Sequence, residues 1–408
     1  MPIVFANLQI RIHSQISIMR IGIDARTILN PEKGEAIGVG HYTYQLIRHL
    51  LKIDQENEYV LFFDWRVREK DIKKFTQKNV KIKFYPFSDY KKYLPGAYNE
   101  ILGMATLAGE NLDVAHTTSA MSRIPLSYRG KVVVTVHDLA PYKVPDVFPQ
   151  LKRTKAKATS SLMISHADRI IAVSDSTKND IVDIFETSPE KIVVIRSGFD
   201  RRMSDDPNTP REKVLERYDI DKDKKYVLFL GTIEPIKNIT RLFEAFKKFK
   251  DDCMSEKGEC DHKLVMAGKN GWLAQEYRQI AKDLGIGKDV VFTGYIIGDE
   301  LVPLFKNADF FVMPSLYEGF GTTVLEAFAT GTPAIVSNVS SIPELAGDAA
   351  LFVNPMKTEE ITEAMKKLAA DENLKNDLRA RGKKQVEQFD WEKCARETLE
   401  VYKSVAKK

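Results

Sequence analysis

Short apolar runs recur along this chain, and stretches of helical spacing separate most of them. In the first half the runs are Arg20–Asp24, Tyr59–Phe63, Val80–Tyr85, Val114–His116, Val132–Val136, Ile170–Val173 and Ile192–Ile195. In the second half they are Tyr226–Leu230, Leu264–Ala267, Val290–Thr293, Phe310–Met313, Ala334–Val336 and Leu351–Val353. Each reads as a buried strand. Between them lie helix patterns such as His41–Lys52, with Tyr44, Leu46, Ile47, Leu50 and Leu51 among its apolar residues. Strands alternating with helices predict parallel sheets with helices on both faces, the doubly wound α/β class.

The alternation is interrupted once. Pro207, Pro210 and the charged run Asp219–Lys225 read as a linker with a small helix over 211–218, which places a domain boundary near 200. From Thr358 on the chain is helical and charged, and a break at Phe389 and Asp390 precedes the last segment, Trp391–Tyr402. At the other end, residues 1–18 form an extension whose apolar part is broken by Asn7, Gln9, Arg11 and His13, a poor signal peptide. The fold is expected to start near Met19. The expected units are therefore 1–18, 19–200, 201–388 and a closing segment, 389–408.

Composition narrows the function. A chain of 408 residues suits two domains, and 43% hydrophobic with 29% charged residues is ordinary for a globular protein. A net charge of +4, with a pI near 8.6, is too mild to argue for nucleic acid but favours anionic ligands or lipid surfaces. Cys253, Cys260 and Cys394 match no zinc spacing and cannot form an even disulfide set, which points to a reducing, cytoplasmic compartment. No apolar run approaches the ~18 residues of a membrane span. Lys152, Arg153, Lys155 and Lys157 precede Leu162, Met163 and Ile164. Peripheral contact with a lipid surface and a solvated helix face both fit that stretch.

The chemistry concentrates in Met313–Glu344. A strand end runs into a turn with Gly319 and Gly321, and a helix pattern begins near Thr322 and Thr323. Glycines admit close backbone approach, and a helix start offers free N–H groups to a diphosphate. Glu318 and Glu326 stand on either side with seven residues between them, and paired carboxylates suit a ligand rich in hydroxyls. Thr323 and Glu326 fit a capping box equally well, and Glu318 fits a solvated loop acid. Elsewhere, His137 and Asp138 end the strand Val132–Val136, where a histidine could donate to a sugar hydroxyl or a leaving phosphate. Lys237 follows the Gly231 turn, beside a helix start for which Asn238 is a good N-cap. Tyr295 and Ile296, after Gly294, could form an apolar slot for a base.

Together these motifs resemble the retaining GT-B glycosyltransferases of family 4, group 1, which include many mannosyl- and glucosyltransferases. The residues that carry the resemblance are Met19–Arg26, the Gly38–Gly40 loop, Thr135–Leu139, Ala167–Ile181, Gly231–Asn238, Glu318–Glu326 and Phe389–Tyr402. The resemblance implies two Rossmann-like domains facing a cleft, an acceptor domain and a nucleotide-sugar donor domain, with the last helix crossing back to the first. It implies a hexose, mannose or glucose, moved from GDP or UDP to a saccharide or lipid-linked acceptor by front-face attack, with no metal or other cofactor. Glu318 would hold the sugar hydroxyls and Glu326 the ribose. Gly231, Thr232, Tyr295, Ile296, Gly319, Phe320, Gly321, Thr322 and Thr323 would line the donor site. Lys237 would meet the departing diphosphate, His137 the transferred sugar, and Gly38, Gly40 and Asp138 the donor–acceptor junction. Two departures stand out. Thr232 occupies a position where many relatives carry arginine, so Arg241 is expected to supply that charge. Ser197-Gly198 replaces the usual Asn-Gly. The rival readings are an epimerase or a sugar phosphorylase on the same fold, and a non-catalytic nucleotide-sugar-binding subunit.

Overall fold

The structure is a computed structural model that describes residues 18–28, 38–64, 67, 72–85, 95–122, 124–200, 203, 209–296 and 298–406. The expectations for 1–17 and for Pro207 in the linker lie outside these residues.

The described strands form two sheets, and every pairing in them is parallel. The first comprises β1 (Arg20–Asp24), β2 (Glu58–Asp64), β3 (Val80–Tyr85), β4 (Val114–Thr117), β5 (Lys131–Val136), β6 (Arg169–Ala172) and β7 (Ile192–Val194). The second comprises β8 (Tyr226–Leu230), β9 (Lys263–Ala267), β10 (Val290–Gly294), β11 (Phe310–Met313), β12 (Ala334–Ser337) and β13 (Leu351–Val353). The spatial orders are β3-β2-β1-β4-β5-β6-β7 and β10-β9-β8-β11-β12-β13. In each sheet the order reverses beside the first strand, between β1 and β4 and between β8 and β11. A crevice opens at the carboxyl ends at such a point.

The continuous apolar runs follow from burial on both faces. Along β2, Tyr59, Leu61 and Phe63 enter one core while Val60 and Phe62 enter the other. Along β8, Tyr226 and Leu228 point one way, Val227 and Phe229 the other. Parallel neighbours need crossovers, and helices supply them. The helix Val39–Ile53 starts two residues before the pattern expected from His41, so Gly40 lies in its first turn and only Gly38, at φ 59°, belongs to the turn before it. The helix Ile239–Lys257 stops at Gly258, whose φ of 75° suits glycine. Asn238 does not cap it. Its backbone is left-handed, and its side chain donates instead to the Pro355 carbonyl at 2.6 Å.

The chain crosses between the domains near its end. Phe389 sits in the second domain's core and Trp391 in the first's. The helix Trp391–Ala406 then lies against Val39–Ile53. Gly198 permits the crossing, because a Cβ there would overlap the Trp391 backbone. Deeper in, His116 of β4 joins this helix to the sheet: Nδ1 lies 2.6 Å from Tyr402 Oη and Nε2 2.8 Å from Thr135 Oγ1. Burial pushes the His116 imidazole down to about 3, so it is neutral and needs one donor and one acceptor as partners. Tyr402 and Thr135 meet that need. Tyr402→Phe leaves a buried ring nitrogen unpaired and is expected to cost about 1–3 kcal/mol, read as a lower urea midpoint with the slope unchanged.

Candidate active site

Three strand ends bring the polar residues together. β5 delivers His137 and Asp138, β8 the turn Gly231–Lys237, and β11 the loop that carries Glu318. Lys237 and Glu318 meet: Nζ lies 2.5 Å from Oε1, with both side chains largely buried. The sequence assigned them separate tasks; the structure makes them an ion pair. Glu318 is also held by its backbone. Its N–H donates to Ser340 Oγ at 2.9 Å, and its carbonyl accepts from Ser341 Oγ at 2.9 Å. An anion that approaches Lys237 therefore competes with a carboxylate whose main chain cannot follow it. Breaking a buried pair is costly unless new partners replace both halves. A ligand with a phosphate on one side and hydroxyls on the other supplies both.

The first domain faces this pair. Asp138 is open to the cleft yet surrounded by protein. Burial pushes its carboxyl up, the Ala140 N–H bond opposes that, Glu318 adds to the rise and Lys237 counters it. His137 Nε2 lies 2.8 Å from the Thr118 carbonyl, and the Tyr42 ring meets the imidazole edge-on at 4.7 Å. Burial pushes His137 down to about 4, leaving it neutral. Its one N–H is then spent on Thr118, and Nδ1 remains an acceptor. This corrects the expected donor role: His137 can receive a hydrogen bond from a sugar hydroxyl but has none to give a phosphate. The Tyr42 N–H bonds the Gly38 carbonyl at 3.0 Å, which places the Gly38 turn beside His137.

On the phosphate side, Gly321 precedes the helix Thr322–Thr330 at φ 96°, and no side chain caps that helix. Thr323 Oγ1 lies 3.2 Å from Met313 Sδ, so the capping box with Glu326 does not form. Glu326 is left with a buried Oε2 that has no partner. Burial first, and Asp200 second, push its carboxyl up to about 7. Gly319 serves the chain itself: a Cβ there would overlap the His137 carbonyl oxygen. The Phe320 ring is spent on packing, edge-on to Phe389 at 5.8 Å. Ile296 is 2% exposed and sits in the second domain's core, which removes it from the expected base slot. Tyr295 stays accessible, with Lys269 Nζ 5.3 Å from its ring centroid, and both burial and Glu326 push its phenol up. The Arg241 guanidinium turns to Asn238 Oδ1 at 3.1 Å, and Thr232 and Gly231 remain half-buried in their turn.

Ser340, Ser341, Thr118 and Tyr317 were missed in the sequence. Serines and a threonine in loops carry no signal of their own, and Tyr317 reads as packing. No group of three or more metal-ligating side chains occurs among the described residues.

Two parallel Rossmann-like sheets, with polar loops facing each other at their carboxyl ends, define the GT-B class of glycosyltransferases. Sucrose-phosphate synthase from Thermosynechococcus elongatus has the same fold, with a TM-score of 0.74 at 18% identity over 95% of this chain and 99% of that one. So does HepE of Anabaena, solved with UDP and glucose, with a TM-score of 0.71 at 17% identity over 95% and 100%. Residues 37–202 match the family described as Glycosyltransferase Family 4, and residues 210–385 that described as Glycosyl transferases group 1. The O-antigen chain mannosyltransferase B of Escherichia coli is 30% identical over 275 residues, 67% of this chain and 70% of that one. An uncharacterized glycosyltransferase of Methanocaldococcus jannaschii is 33% identical over 240 residues, 58% and 60% of the two chains. The chain belongs to this GT-B family 4, group 1, of nucleotide-sugar-dependent glycosyltransferases.

The raised Glu326 carboxyl would make the binding of any ligand that bonds to it proton-linked. A hydroxyl that donates to it favours the ionised form and lowers its pKa, so binding releases a proton and strengthens as pH rises through about 7. In the free protein the sign is opposite: stability gained by protonation below the unfolded value near 4.5 is lost as pH rises through about 7. Calorimetry of GDP or UDP in buffers of different ionisation heat is expected to show this proton release near pH 7. Glu326→Gln is expected to abolish it.

Proposed function

We propose that this enzyme transfers a hexose, mannose first and glucose second, from GDP or UDP to a saccharide or lipid-linked acceptor with retention of configuration. The observation that carries the reading is the Lys237–Glu318 pair, set opposite His137 and Asp138 across the cleft. In the reaction the bond from the sugar C1 to the diphosphate oxygen breaks. The acceptor hydroxyl attacks C1 from the same face, and its proton passes to the departing diphosphate. Lys237 and the N-terminus of Thr322–Thr330 would stabilise the charge that develops there, where fixed donors in a water-poor site act strongly. That leaves no step for a metal. Glu318 would accept hydrogen bonds from the sugar hydroxyls once Lys237 turns to the phosphate, and His137 Nδ1 would accept one more. Glu326 would hold the ribose, with Tyr295 beside it.

Mannose is supported by two relatives, the mannosyltransferase B above and the serotype-specific mannosyltransferase WbdA of Escherichia coli. A nucleotide donor is supported by HepE, whose structure holds UDP and glucose. Contact with an anionic lipid surface is supported by the helix Gln150–His166, where Leu151 is 83% exposed beside Lys152, Arg153 and Lys155. No helix among the described residues is long and apolar enough to cross a membrane.

Incubation with GDP-mannose and UDP-glucose over an acceptor panel, with the anomeric configuration of the product read by NMR, tests the proposal. An inverted product overturns the mechanism, and a rate lost on chelation overturns metal independence. Glu318→Ala is expected to abolish transfer. Lys237→Ala is expected to lower kcat by about 10²–10³ with a much smaller change in donor affinity, because a leaving-group contact strengthens in the transition state. Full activity in either variant removes that residue from the chemistry.

A further inference from the structure

The loop that carries Glu318 is fastened to the opposite domain on both sides of that residue. The fastening point is one helix of the first domain, Asp175–Phe185. Tyr317, immediately before Glu318, is buried and donates its hydroxyl to Asp180 Oδ2 at 2.7 Å. Asp180 is itself buried, and its other oxygen pairs with Lys143 Nζ at 2.7 Å. The Tyr317 oxygen in turn accepts from the Leu139 N–H at 3.4 Å, two residues after His137. Immediately after Glu318, the Gly319 carbonyl accepts from Thr177 Oγ1 of the same helix at 3.4 Å.

A second tie comes from the short helix that follows β12. Ser341 at its start bonds the carbonyls of Glu318 and Phe320. Glu344, three residues on, spans the cleft and accepts from the N–H groups of Asp175 and Ser176, each at 2.9 Å. Those are the first free donors of the helix Asp175–Phe185, where a carboxylate is favoured by the helix dipole as well as by the bonds. Arg196 Nη2 lies 2.6 Å from Asp175 Oδ2 and 3.4 Å from Glu344 Oε2, which offsets the charge brought there.

We propose that Tyr317 and Asp180 are positioning residues that make the placement of Glu318 depend on docking of the second domain against the helix Asp175–Phe185. Neither residue touches the reacting atoms. When the domains part, Tyr317 loses a charged acceptor and Glu318 loses the anchor on its N-terminal side. When they dock, Glu318 is set opposite Asp138 and His137, with its own main chain held by Ser340 and Ser341 and its neighbours Tyr317 and Gly319 held by the first domain. Asp180 is suited to this task because Lys143 holds its other oxygen at 2.7 Å, so the tyrosine meets an acceptor already fixed in place. The inference rests on the reading of Glu318 as the sugar-holding residue.

The test uses Tyr317→Phe, Asp180→Asn and the double variant in the full chain. GDP-mannose and UDP-glucose serve as donors, and Glu318→Ala runs in parallel. Tyr317→Phe keeps the ring and removes one hydrogen bond to a charged group. It is expected to lower kcat roughly tenfold to a hundredfold, while GDP and UDP affinity stays close to wild type and the chain stays folded at the assay temperature. The residues proposed above to hold the nucleotide, Lys237, Tyr295 and Glu326, all belong to the second domain, so a positioning role leaves them intact. The double variant is expected to be no worse than the poorer single one, since Asp180→Asn weakens the same bond that Tyr317→Phe removes. Unchanged kcat in Tyr317→Phe and Asp180→Asn, with Glu318→Ala inactive, overturns the positioning role and leaves the site reading standing. An active Glu318→Ala overturns the site reading itself. Nucleotide affinity and melting temperature that fall in step with kcat reduce Tyr317 to a structural residue and overturn the proposal.

Discussion

Both faces of each parallel sheet are covered over its central strands, and that constraint governs where this protein can do chemistry. A strand buried on two faces has no room for a charged side chain along its length. Inside the sheets a polar group survives only when it is satisfied, as His116 and Thr135 satisfy one another, and in both sheets the carboxyl ends lead to the loops that matter. β5 ends in His137 and Asp138, β8 in the turn before Lys237, and β11 in the loop of Glu318. The two sheets are then set with these ends facing each other. The site is a consequence of how the cores are built.

The electrostatics of the cleft follow from its partial enclosure. Lys237 and Glu318 satisfy one another at 2.5 Å, so neither stands as an uncompensated charge. Glu326 has no such partner, and its proton is held more tightly as a result. His137 and His116 show the same effect with the opposite sign: burial strips them of charge and fixes their hydrogen-bonding roles. Each group is thus tuned by how much water it loses and what replaces it.

Close backbone approach between the domains is the other requirement. Gly319 passes the His137 carbonyl and Gly198 passes the Trp391 backbone at separations that no side chain tolerates. One glycine brings the Glu318 loop to the first domain, and the other lets the closing helix return to it. Both are conformationally ordinary positions, so their role lies in contact rather than in φ. Around Gly319, Tyr317 and Glu344 convert the approach into specific bonds with the helix Asp175–Phe185.

The sequence alone determined the two series of strands, the parallel class and the clustering of acids around a glycine turn. Those features rest on local pattern: apolar runs, turn residues and helix starts are written in neighbouring positions. The resemblance to a glycosyltransferase family was legible for the same reason, since its motifs are short and ordered. Tertiary structure decided the rest. It paired Lys237 with Glu318 across 81 positions and Tyr317 with Asp180 across 137. It turned the His137 donor away to Thr118, buried Ile296, and freed Glu326 from a capping box that its spacing with Thr323 had allowed. Such outcomes depend on which groups lose water together, and on which carbonyl or carboxylate waits on the far side of the cleft. No stretch of neighbouring residues holds that information.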